Sequence, residues 1–350
     1  MTLPDIAPPL LEWYRQNKRV LPFRTLSTPY RVWVSEIMLQ QTRVNAALPY
    51  FERFMQALPT VADLAACDPE KLHKLWEGLG YYSRVRNLQK AAQIVMEQYG
   101  GELPADYEAL QKLPGIGAYT AGAIASVSFG LPVPAVDGNV LRVFARLLND
   151  ARDITRPDVK KEMTAQVLCL QPPECPGDYN QALMELGALV CVPNGAPLCD
   201  ACPLRGLCAA QRLGTAESLP RKAPPAKKKL LHYTVVLVLD GCGRVLLQQR
   251  AQTGLLAGLW QPILFEDTLS AGQLPAALAG LGLSCESIQK LPDAKHIFTH
   301  LIWQMSGFAA YTAPCPAPQG CVWAARAELE DRYALPNAFK VYRNVLKNLL

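Results

Sequence analysis

Apolar residues recur at every third or fourth position through the first part of the chain, which is the spacing of one buried face of an α-helix. The spacing is clearest in PYRVWVSEIMLQQTRVNAALPYFERFM (residues 29–55) and RNLQKAAQIVMEQYG (residues 86–100). Short breaks that contain Gly or Pro separate such segments. The pattern predicts a mainly α-helical domain over residues 1–214.

The pattern changes at residue 215. Residues 215–230 contain three prolines and five basic side chains, which predicts an extended linker. Beyond it, HYTVVLVLDGCGRVLLQQR predicts two strands joined at Asp240-Gly241, and HIFTHLIWQMSGFAAYT predicts a second pair. LPAALAGLGL predicts a short helix between these pairs. Residues 231–350 are therefore predicted to form an α+β domain.

Length and charge are compatible with several function classes, and the lack of long apolar runs argues against a membrane-spanning protein. A chain of 350 residues can form two domains, each with its own core. The formal net charge of +5 is compatible with a polyanionic partner without requiring one. No apolar run reaches the ~18 residues that a membrane span needs, and the first residues lack the features of a signal peptide. We expect a cytoplasmic protein without a membrane partner.

Four of the eleven cysteines lie close together, with the spacing C-x7-C-x2-C-x5-C. In a cytoplasmic chain such a group is typical of a metal centre rather than of disulfide bonds. Four thiolates can bind either zinc or a [4Fe–4S] cluster, and a spacing with a single CxxC pair favours the cluster. The candidate ligands are Cys191, Cys199, Cys202 and Cys208.

The segment ALQKLPGIGAYTAGAIASVSFG (residues 109–130) predicts two helices joined by a glycine-containing turn. Gly115 and Gly117 allow a tight turn, and a helix that begins near Ala118 offers backbone N–H groups to an anion. Such a helix–hairpin–helix binds a DNA phosphate without reading sequence. The same glycines also fit an ordinary turn between helices, so the motif alone leaves both interpretations open.

Two carboxylates are candidates for chemistry, and each also has a structural interpretation. Asp137 precedes a helix predicted to begin near Asn139, where a carboxylate caps the helix and its N-terminus keeps the group ionised. Helical spacing places Gln41 on the apolar side with Trp33 and leaves Glu36 on the neighbouring face. Spacing alone therefore favours a solvated Glu36.

These motifs together identify the chain as a member of a known family. It resembles the adenine DNA glycosylases, the MutY branch of the endonuclease III superfamily, along nearly its whole length. The resemblance is carried by PYRVWVSEIMLQQTRV, EGLGYYSRVRNL, LPGIGAYTAGAI, VDGNVLRV, NQALMELGALVC, the cysteine group, TGLLAGLW and FTHLIWQM. It implies a mainly α helix–hairpin–helix DNA glycosylase domain with an iron–sulfur cluster loop, and a C-terminal α+β domain of the Nudix (MutT-like) type.

The resemblance implies a monofunctional glycosylase of base excision repair that removes adenine mispaired with 8-oxoguanine or guanine. It implies a monomer that binds double-stranded DNA and carries a [4Fe–4S] cluster. The adenine must leave the base stack to be attacked. Glu36 matches the family's general acid, and Asp137 matches the carboxylate that stabilises the cationic sugar. Asn139 matches the residue that orients Asp137.

Tyr119 stands where endonuclease III enzymes have a lysine that forms a Schiff base with the sugar. A phenol cannot form an imine, so the resemblance implies base release without efficient strand cleavage. Further matches are Arg24 and Gln181 in the adenine pocket, Gln41 and Tyr81 as wedges in the duplex, and Gly115 and Gly117 at a phosphate.

The C-terminal domain resembles a Nudix hydrolase without its catalytic helix. Such a hydrolase holds Mg2+ with glutamates on one helix, but residues 269–283 contain no acidic side chain. The domain is therefore expected to recognise DNA only. Phe298, Thr299 and His300 match the family loop that recognises 8-oxoguanine, with threonine in place of the more usual serine. The first cysteine spacing is one residue longer than is usual in the family.

Two other functions share part of the pattern. A bifunctional endonuclease III shares the hairpin, Asp137 and the cysteines, but Tyr119 and the second domain count against it. A non-catalytic DNA-binding or redox protein would leave the pairing of Glu36 with Asp137 unexplained.

Overall fold

The computed structural model describes residues 4–193, 195–224 and 227–350. The chain divides into two compact units, one of Met1–Ala66 with Arg86–Pro224 and one of Cys67–Val85 with Pro225–Leu350. A helical domain followed by a sheet-containing domain is the fold class that the sequence predicts, and it is confirmed. Among the described residues, no helix has both the length and the apolar character to cross a membrane.

Helices make up the first part of the chain. They are α1 Ala7–Asn17, α2 Pro22–Thr25, α3 Pro29–Leu39, α4 Val44–Ala57, α5 Val61–Ala66, α6 Pro69–Leu75, α7 Ser83–Tyr99, α8 Tyr107–Gln111, α9 Ala118–Phe129, α10 Gly138–Leu147, α11 Pro157–Cys169, α12 Pro176–Leu189 and α13 Ala209–Arg212. The C-terminal part contains β1 Lys229–Asp240, β2 Arg244–Gln249, β3 Trp260–Phe265, α14 Leu274–Ala279, β4 Ser287–Ile297, β5 Leu301–Thr312, β6 Cys321–Ala325, α15 Arg326–Asp331 and α16 Lys340–Leu349.

The helix α9 lies at the centre of the helical unit. It packs against α3, α8 and α12, and α12 also packs against α1 and α10. Small residues make this close packing possible, since Ala121, Ala123 and Ala125 of α9 are fully buried. The packing brings side chains of α3, α9 and α12, which are distant in sequence, to one place.

The C-terminal unit is built on a six-stranded sheet with the order β4-β5-β1-β3-β2-β6. Strands β1 and β5 are parallel, and the other neighbours are antiparallel. Both faces of the sheet are covered, because α14 packs with the cluster of Val236 and Val238, and α16 with the cluster of Val235 and Leu237. The predicted hairpin β1–β2, the β4–β5 pair and the short helix α14 are all present.

Residues 67–85 cluster with the C-terminal unit, although the sequence pattern places them in the helical domain. The Glu77 carboxylate accepts hydrogen bonds from the Leu335 backbone N–H at 3.0 Å and from Arg343 Nη1 at 2.9 Å. Asn337 Nδ2 donates to the Gly78 carbonyl at 2.9 Å. These contacts hold the loop that leads to Tyr81. The predicted domain limits, 1–214 and 231–350, stay predictions.

The predicted linker, residues 215–230, carries structure at both ends. Leu219 is buried, and its carbonyl accepts a hydrogen bond from Arg146 Nε at 3.0 Å, so this end lies against the helical unit. At the other end β1 already begins at Lys229. Pro225 and Ala226 lie outside the described residues.

Candidate active site

Helices α3 and α9 place Glu36 beside Tyr119. Helix α3 begins at Pro29 and is capped by the Thr28 hydroxyl, and its packing against α9 turns Glu36 away from solvent. Tyr119 Oη donates a hydrogen bond to Glu36 Oε2 at 2.6 Å and also lies 3.1 Å from Met184 Sδ. Glu36 is half-buried, so the solvated position that spacing alone favours is wrong. The cause is α9, whose contact with α3 no local pattern shows.

Burial makes Glu36 a weaker acid than a solvated glutamate. It raises the pKa of the carboxyl from 4.5 to about 7, and the negative charge of Asp137 adds to this effect. The hydrogen bond from Tyr119 and the charge of Arg24 lower the pKa but do not outweigh burial. Burial together with the nearby carboxylates raises the pKa of Tyr119 well above 10, so the phenol stays neutral and remains a donor. A carboxyl protonated in part at neutral pH can act as a general acid.

Asp137 is the N-cap of α10, as the sequence predicts. Its Oδ1 accepts hydrogen bonds from the backbone N–H groups of Asn139 at 2.8 Å and Val140 at 2.9 Å. Its Oδ2 accepts a third from Asn139 Nδ2 at 2.6 Å. Burial raises the pKa of Asp137 above its usual range, and the three hydrogen bonds and the charge of Arg142 offset only part of that rise. The bonds favour the ionised form and fix its orientation.

Arg142 connects Asn139 to the loop that carries the cysteines. Its Nη2 donates to Asn139 Oδ1 at 2.9 Å and to the Gly187 carbonyl at 2.7 Å, and its Nε donates to the Cys191 carbonyl at 2.7 Å. The Asn139 side chain is therefore fixed on both sides, by Asp137 and by Arg142. This arrangement leaves Asp137 one orientation.

Arg24, a predicted pocket residue, is held by a buried carboxylate on α12. Glu185 is fully buried, and its Oε2 accepts a hydrogen bond from Arg24 Nη2 at 2.9 Å. Arg19 donates to the same carboxylate from Nε at 2.7 Å and from Nη2 at 2.8 Å. Burial alone would raise the pKa of Glu185, but these bonds lower it to about 2. Gln181, the other predicted pocket residue, is half-buried on the same helix.

The predicted hairpin joins α8 to α9. Gly115 has a φ of +80°, and a Cβ there would lie 2.9 Å from the Asn87 Cβ, so both the conformation and the space require glycine. Gly117 is the N-cap of α9 and is exposed, and no side chain caps this helix end. The first N–H groups of α9 therefore face outward, as a phosphate-binding hairpin needs.

Gln41 lies in a turn rather than on the apolar side of a helix. Helix α3 ends at Leu39, and Gln41 is exposed with a φ of +58°, a conformation that is uncommon outside glycine. The predicted helical placement beside Trp33 is therefore wrong, because the chain turns here before α4 begins at Val44. The turn presents the amide of Gln41 to solvent.

The second unit brings Tyr81 to the predicted recognition loop. Tyr81 is 47% exposed and also has a positive φ, +46°. Its Oη lies 3.0 Å from Thr299 Oγ1, in the turn between β4 and β5. The Phe298 ring packs against Trp303, with ring centroids 5.0 Å apart, while Thr299 and His300 are exposed. Packing of Phe298 thus fixes a turn whose polar residues face outward.

The four cysteines surround one cavity. Cys191 follows α12, and Cys199 begins the 3-10 turn Cys199–Ala201. Cys202 directly follows that turn, Cys208 directly follows a second one, Arg205–Leu207, and all four cysteines line the cavity. Arg146 Nη1 donates to Cys191 Sγ at 3.2 Å. Within the described ranges, which omit Asn194 of this loop, no three His, Cys, Asp or Glu side chains have the geometry to hold a single metal ion. A four-sulfur donor set around one cavity fits a metal cluster.

Two protein families match this chain, one in its helical part and one in its C-terminal part. Residues 34–167 match the HhH-GPD superfamily of base excision DNA repair proteins, and residues 234–344 match the NUDIX domain. The adenine DNA glycosylase of Mus musculus is 38% identical over 95% of this chain and 76% of its own length. The chain belongs to the adenine DNA glycosylase family.

Solved structures of DNA glycosylases also resemble this member of the adenine DNA glycosylase family. A thermostable thymine-DNA glycosylase matches with a TM-score of 0.54 at 25% identity, over 59% of this chain and 94% of its own. A trapped endonuclease III–DNA covalent intermediate matches with a TM-score of 0.51 at 27% identity, over 59% of this chain and 93% of its own. Each covers more than nine tenths of the known structure and about three fifths of this chain.

Sequence reasoning missed three polar residues of the candidate active site. Glu185 and Arg19 form the ion pair that holds Arg24, and Arg142 holds Asn139. One local signal was available for Glu185, a single charge within the otherwise apolar run ALMELGALV. Its partners are 161 and 166 residues away and leave no trace in the local pattern.

Proposed function

We propose that this protein is a monofunctional adenine DNA glycosylase that hydrolyses the N-glycosidic bond of adenine opposite 8-oxoguanine or guanine. The observation that carries the proposal is the half-buried Glu36, whose pKa is raised to about 7 beside an Asp137 that accepts three hydrogen bonds. Acid-assisted glycosidic cleavage requires one protonated carboxyl and one ionised carboxyl. Glu36 has the higher tendency to hold a proton, and the three hydrogen bonds to Asp137 favour its ionised form.

The reaction assigns each carboxyl one role. Glu36 donates its proton to N7 of the extruded adenine, and the bond between C1′ and N9 breaks with its electron pair leaving on the base. Asp137 stabilises the positive charge that develops on the sugar, in the orientation set by Asn139. Water then adds at C1′ and loses a proton, which leaves an abasic site. Arg24 and Gln181 line the adenine pocket.

Tyr119 makes the enzyme monofunctional. Cleavage of the strand by a lyase needs a primary amine that attacks C1′ and forms an imine. At Tyr119 the chain has a phenol, which is committed to Glu36 by a 2.6 Å hydrogen bond. The abasic site is therefore released with its strand intact.

Recognition of the mispair falls to exposed groups. Gln41 and Tyr81 enter the duplex in place of the extruded base, and the hairpin of Gly115 binds a phosphate. The turn of Phe298, Thr299 and His300 contacts 8-oxoguanine through its polar side chains. The extra methyl of Thr299, compared with serine, narrows the space beside that base. The lack of acidic residues in 269–283 leaves the Nudix-like unit a recognition role.

The cysteine loop carries a [4Fe–4S] cluster with Cys191, Cys199, Cys202 and Cys208 as ligands. Support comes from the spacing, from the cavity that all four line, and from the family. These four side chains would hold the cluster, which would cross-link the loop. Arg142 Nε already donates to the Cys191 carbonyl at 2.7 Å, so the loop is tied to Asn139 through Arg142. We further propose that the protein acts as a monomer on duplex DNA in the cytoplasm.

The test replaces the acid while keeping its shape. Glu36→Gln retains the hydrogen-bonding shape but has no proton to donate, so we expect single-turnover excision of adenine to fall at least about 10²-fold. Binding to the same duplex should persist, measured by fluorescence anisotropy. If Glu36→Gln keeps both excision and binding at the wild-type level, Glu36 is not the general acid. Retained binding with lost excision also excludes a protein that only binds DNA.

A further inference from the structure

A cavity of about 310 Å³ lies beside Asp137 in the helical unit, and no step proposed above uses it. Its wall contains Asp137, Thr155, Lys160, Thr164 and Lys222, together with Val136, Gly138, Leu141 and Ile154. The wall is therefore partly apolar, and its two lysines outnumber its single carboxylate, which leaves this recess with an excess of positive charge beside Asp137. Such a recess has the chemistry of an anion site.

Lys222 is fixed at this recess, although the sequence places it in a linker. The residue before it, Arg221, accepts a hydrogen bond at its carbonyl from the Ile154 N–H at 3.2 Å. The residue after it, Ala223, donates its N–H to Asp153 Oδ2 at 3.1 Å. Both neighbours of Lys222 are therefore attached to the loop before α11, and the lysine between them lines the cavity.

The positive charge at the recess is not balanced by neighbouring ion pairs. In the described part of the chain, neither Lys160 nor Lys222 forms a salt bridge. The nearby arginines are already paired, Arg152 with Asp150 and Arg156 with Asp158. The Asp137 oxygens accept hydrogen bonds from the N-terminus of α10. The two lysines remain available for an external anion.

We propose that Lys160 and Lys222 bind a phosphate of the DNA strand that carries the target adenine. The inference rests on the proposed function, because it is the reaction at Asp137 that brings the sugar to this cavity. Each sugar in DNA is linked to a phosphate on either side, so a sugar beside Asp137 carries a phosphate to the recess. Together with the Gly115 hairpin, the lysines hold the strand at two places, which stabilises an extruded nucleotide.

The contact predicts a specific dependence on salt. A lysine that neutralises a phosphate releases a counterion, so the association constant falls as salt rises. Removing one such lysine makes the plot of log association constant against log salt less steep by about 0.9. Lys160→Gln and Lys222→Gln should each make this plot less steep by about that amount. At ~0.1 M salt each should weaken binding about fivefold. The matched control is Lys161→Gln, an exposed lysine on the same helix that does not line the cavity.

The measurement is anisotropy of the full-length protein with a duplex that holds tetrahydrofuran, an abasic-site analogue, opposite 8-oxoguanine. Affinity and slope reduced in Lys160→Gln and Lys222→Gln, with Lys161→Gln unchanged, would support the contact. Both variants equal to Lys161→Gln would overturn it, whatever the wild type does to adenine. A different result would refute only the proposed function: the two lysine variants bind more weakly than Lys161→Gln, but the wild-type protein excises no adenine.

Discussion

At the scale of single residues, two similar carboxyls acquire different chemistry from their surroundings. Burial raises the pKa of both carboxyls, that of Glu36 to about 7, but Asp137 accepts three hydrogen bonds that oppose the effect and favour its charged form. The difference lies in the donors each carboxyl meets. Glu36 accepts one bond from a phenol, and Asp137 is held by a helix N-terminus. Environment, rather than residue type, assigns the acid.

The pH dependence of excision tests this assignment. Glu36 must be protonated to act, so the rate should fall about tenfold per pH unit above about 7. Asp137 must be ionised, and burial raises its pKa, so the rate should also fall on the acidic side as Asp137 becomes protonated. The hydrogen bond from Tyr119 lowers the pKa of Glu36, so Tyr119→Phe should raise it and move the alkaline limb to higher pH. Single-turnover rates from pH 5 to 9 measure the limb. A limb that stays in place or moves to lower pH would contradict the account.

Removing the charge of the buried Glu185 should lower the stability of the fold. Glu185→Gln leaves Arg19 and Arg24 facing an uncharged amide in a buried setting, so we expect a loss of about 3 kcal/mol in the free energy of unfolding. Urea denaturation followed by circular dichroism measures it. The exposed pair of Arg326 and Glu330 supplies the control, since Glu330→Gln should change stability by less than about 1 kcal/mol. Equal effects of the two variants would show that Glu185 is not a buried ion-pair partner.

At the scale of elements, the site depends on how closely α12 approaches α10. A Cβ on Gly187 would lie 2.6 Å from the Asn139 Cβ, so no side chain fits between these helices at that point. The Gly187 carbonyl also accepts a hydrogen bond from Arg142, which holds Asn139. A small change on α12 therefore reaches Asp137 through its neighbour.

Gly187→Ala should separate stability from positioning. The added methyl must push Asn139 aside, so we expect a loss of about 1–3 kcal/mol in stability and a fall in excision of about tenfold or more. Thermal unfolding and single-turnover rates below the melting temperature measure the two effects. Gly138→Ala, at the open start of α10, should not lose stability, because no atom lies within 4 Å of its added Cβ. An unchanged excision rate in Gly187→Ala would show that Asn139 does not orient Asp137.

Local patterns predicted the elements better than their ends and contacts. The α10 start at Asp137, the hairpin glycine Gly115 and the β1–β2 turn follow from capping and turn chemistry, which act within a few residues. The end of α3 before Gln41 did not follow, because the apolar spacing continues past the point where the backbone turns. Burial of Glu36 depends on α9, more than 80 residues away.

At the scale of the whole molecule, the residues proposed for recognition come from separate parts of the sequence. Tyr81 and Thr299 are 218 positions apart, yet their hydroxyls lie 3.0 Å apart in the C-terminal unit. No periodicity could predict this, since it depends on Glu77 and Gly78 binding residues near the C-terminus. Family resemblance singled out both residues without indicating the hydrogen bond between them. The structure therefore adds a direct hydrogen bond between Tyr81, the proposed wedge, and Thr299 of the proposed recognition turn.

The most direct test of the central claim uses the whole protein and a duplex that holds adenine opposite 8-oxoguanine. After incubation the labelled adenine strand is analysed with and without hot alkali, which cleaves abasic sites. We expect breaks at the adenine only after alkali, because Tyr119 cannot form the imine of a lyase. Breaks without alkali would show a bifunctional enzyme with another amine as nucleophile. No breaks under either condition would contradict the assignment of Glu36 and Asp137 as the catalytic pair.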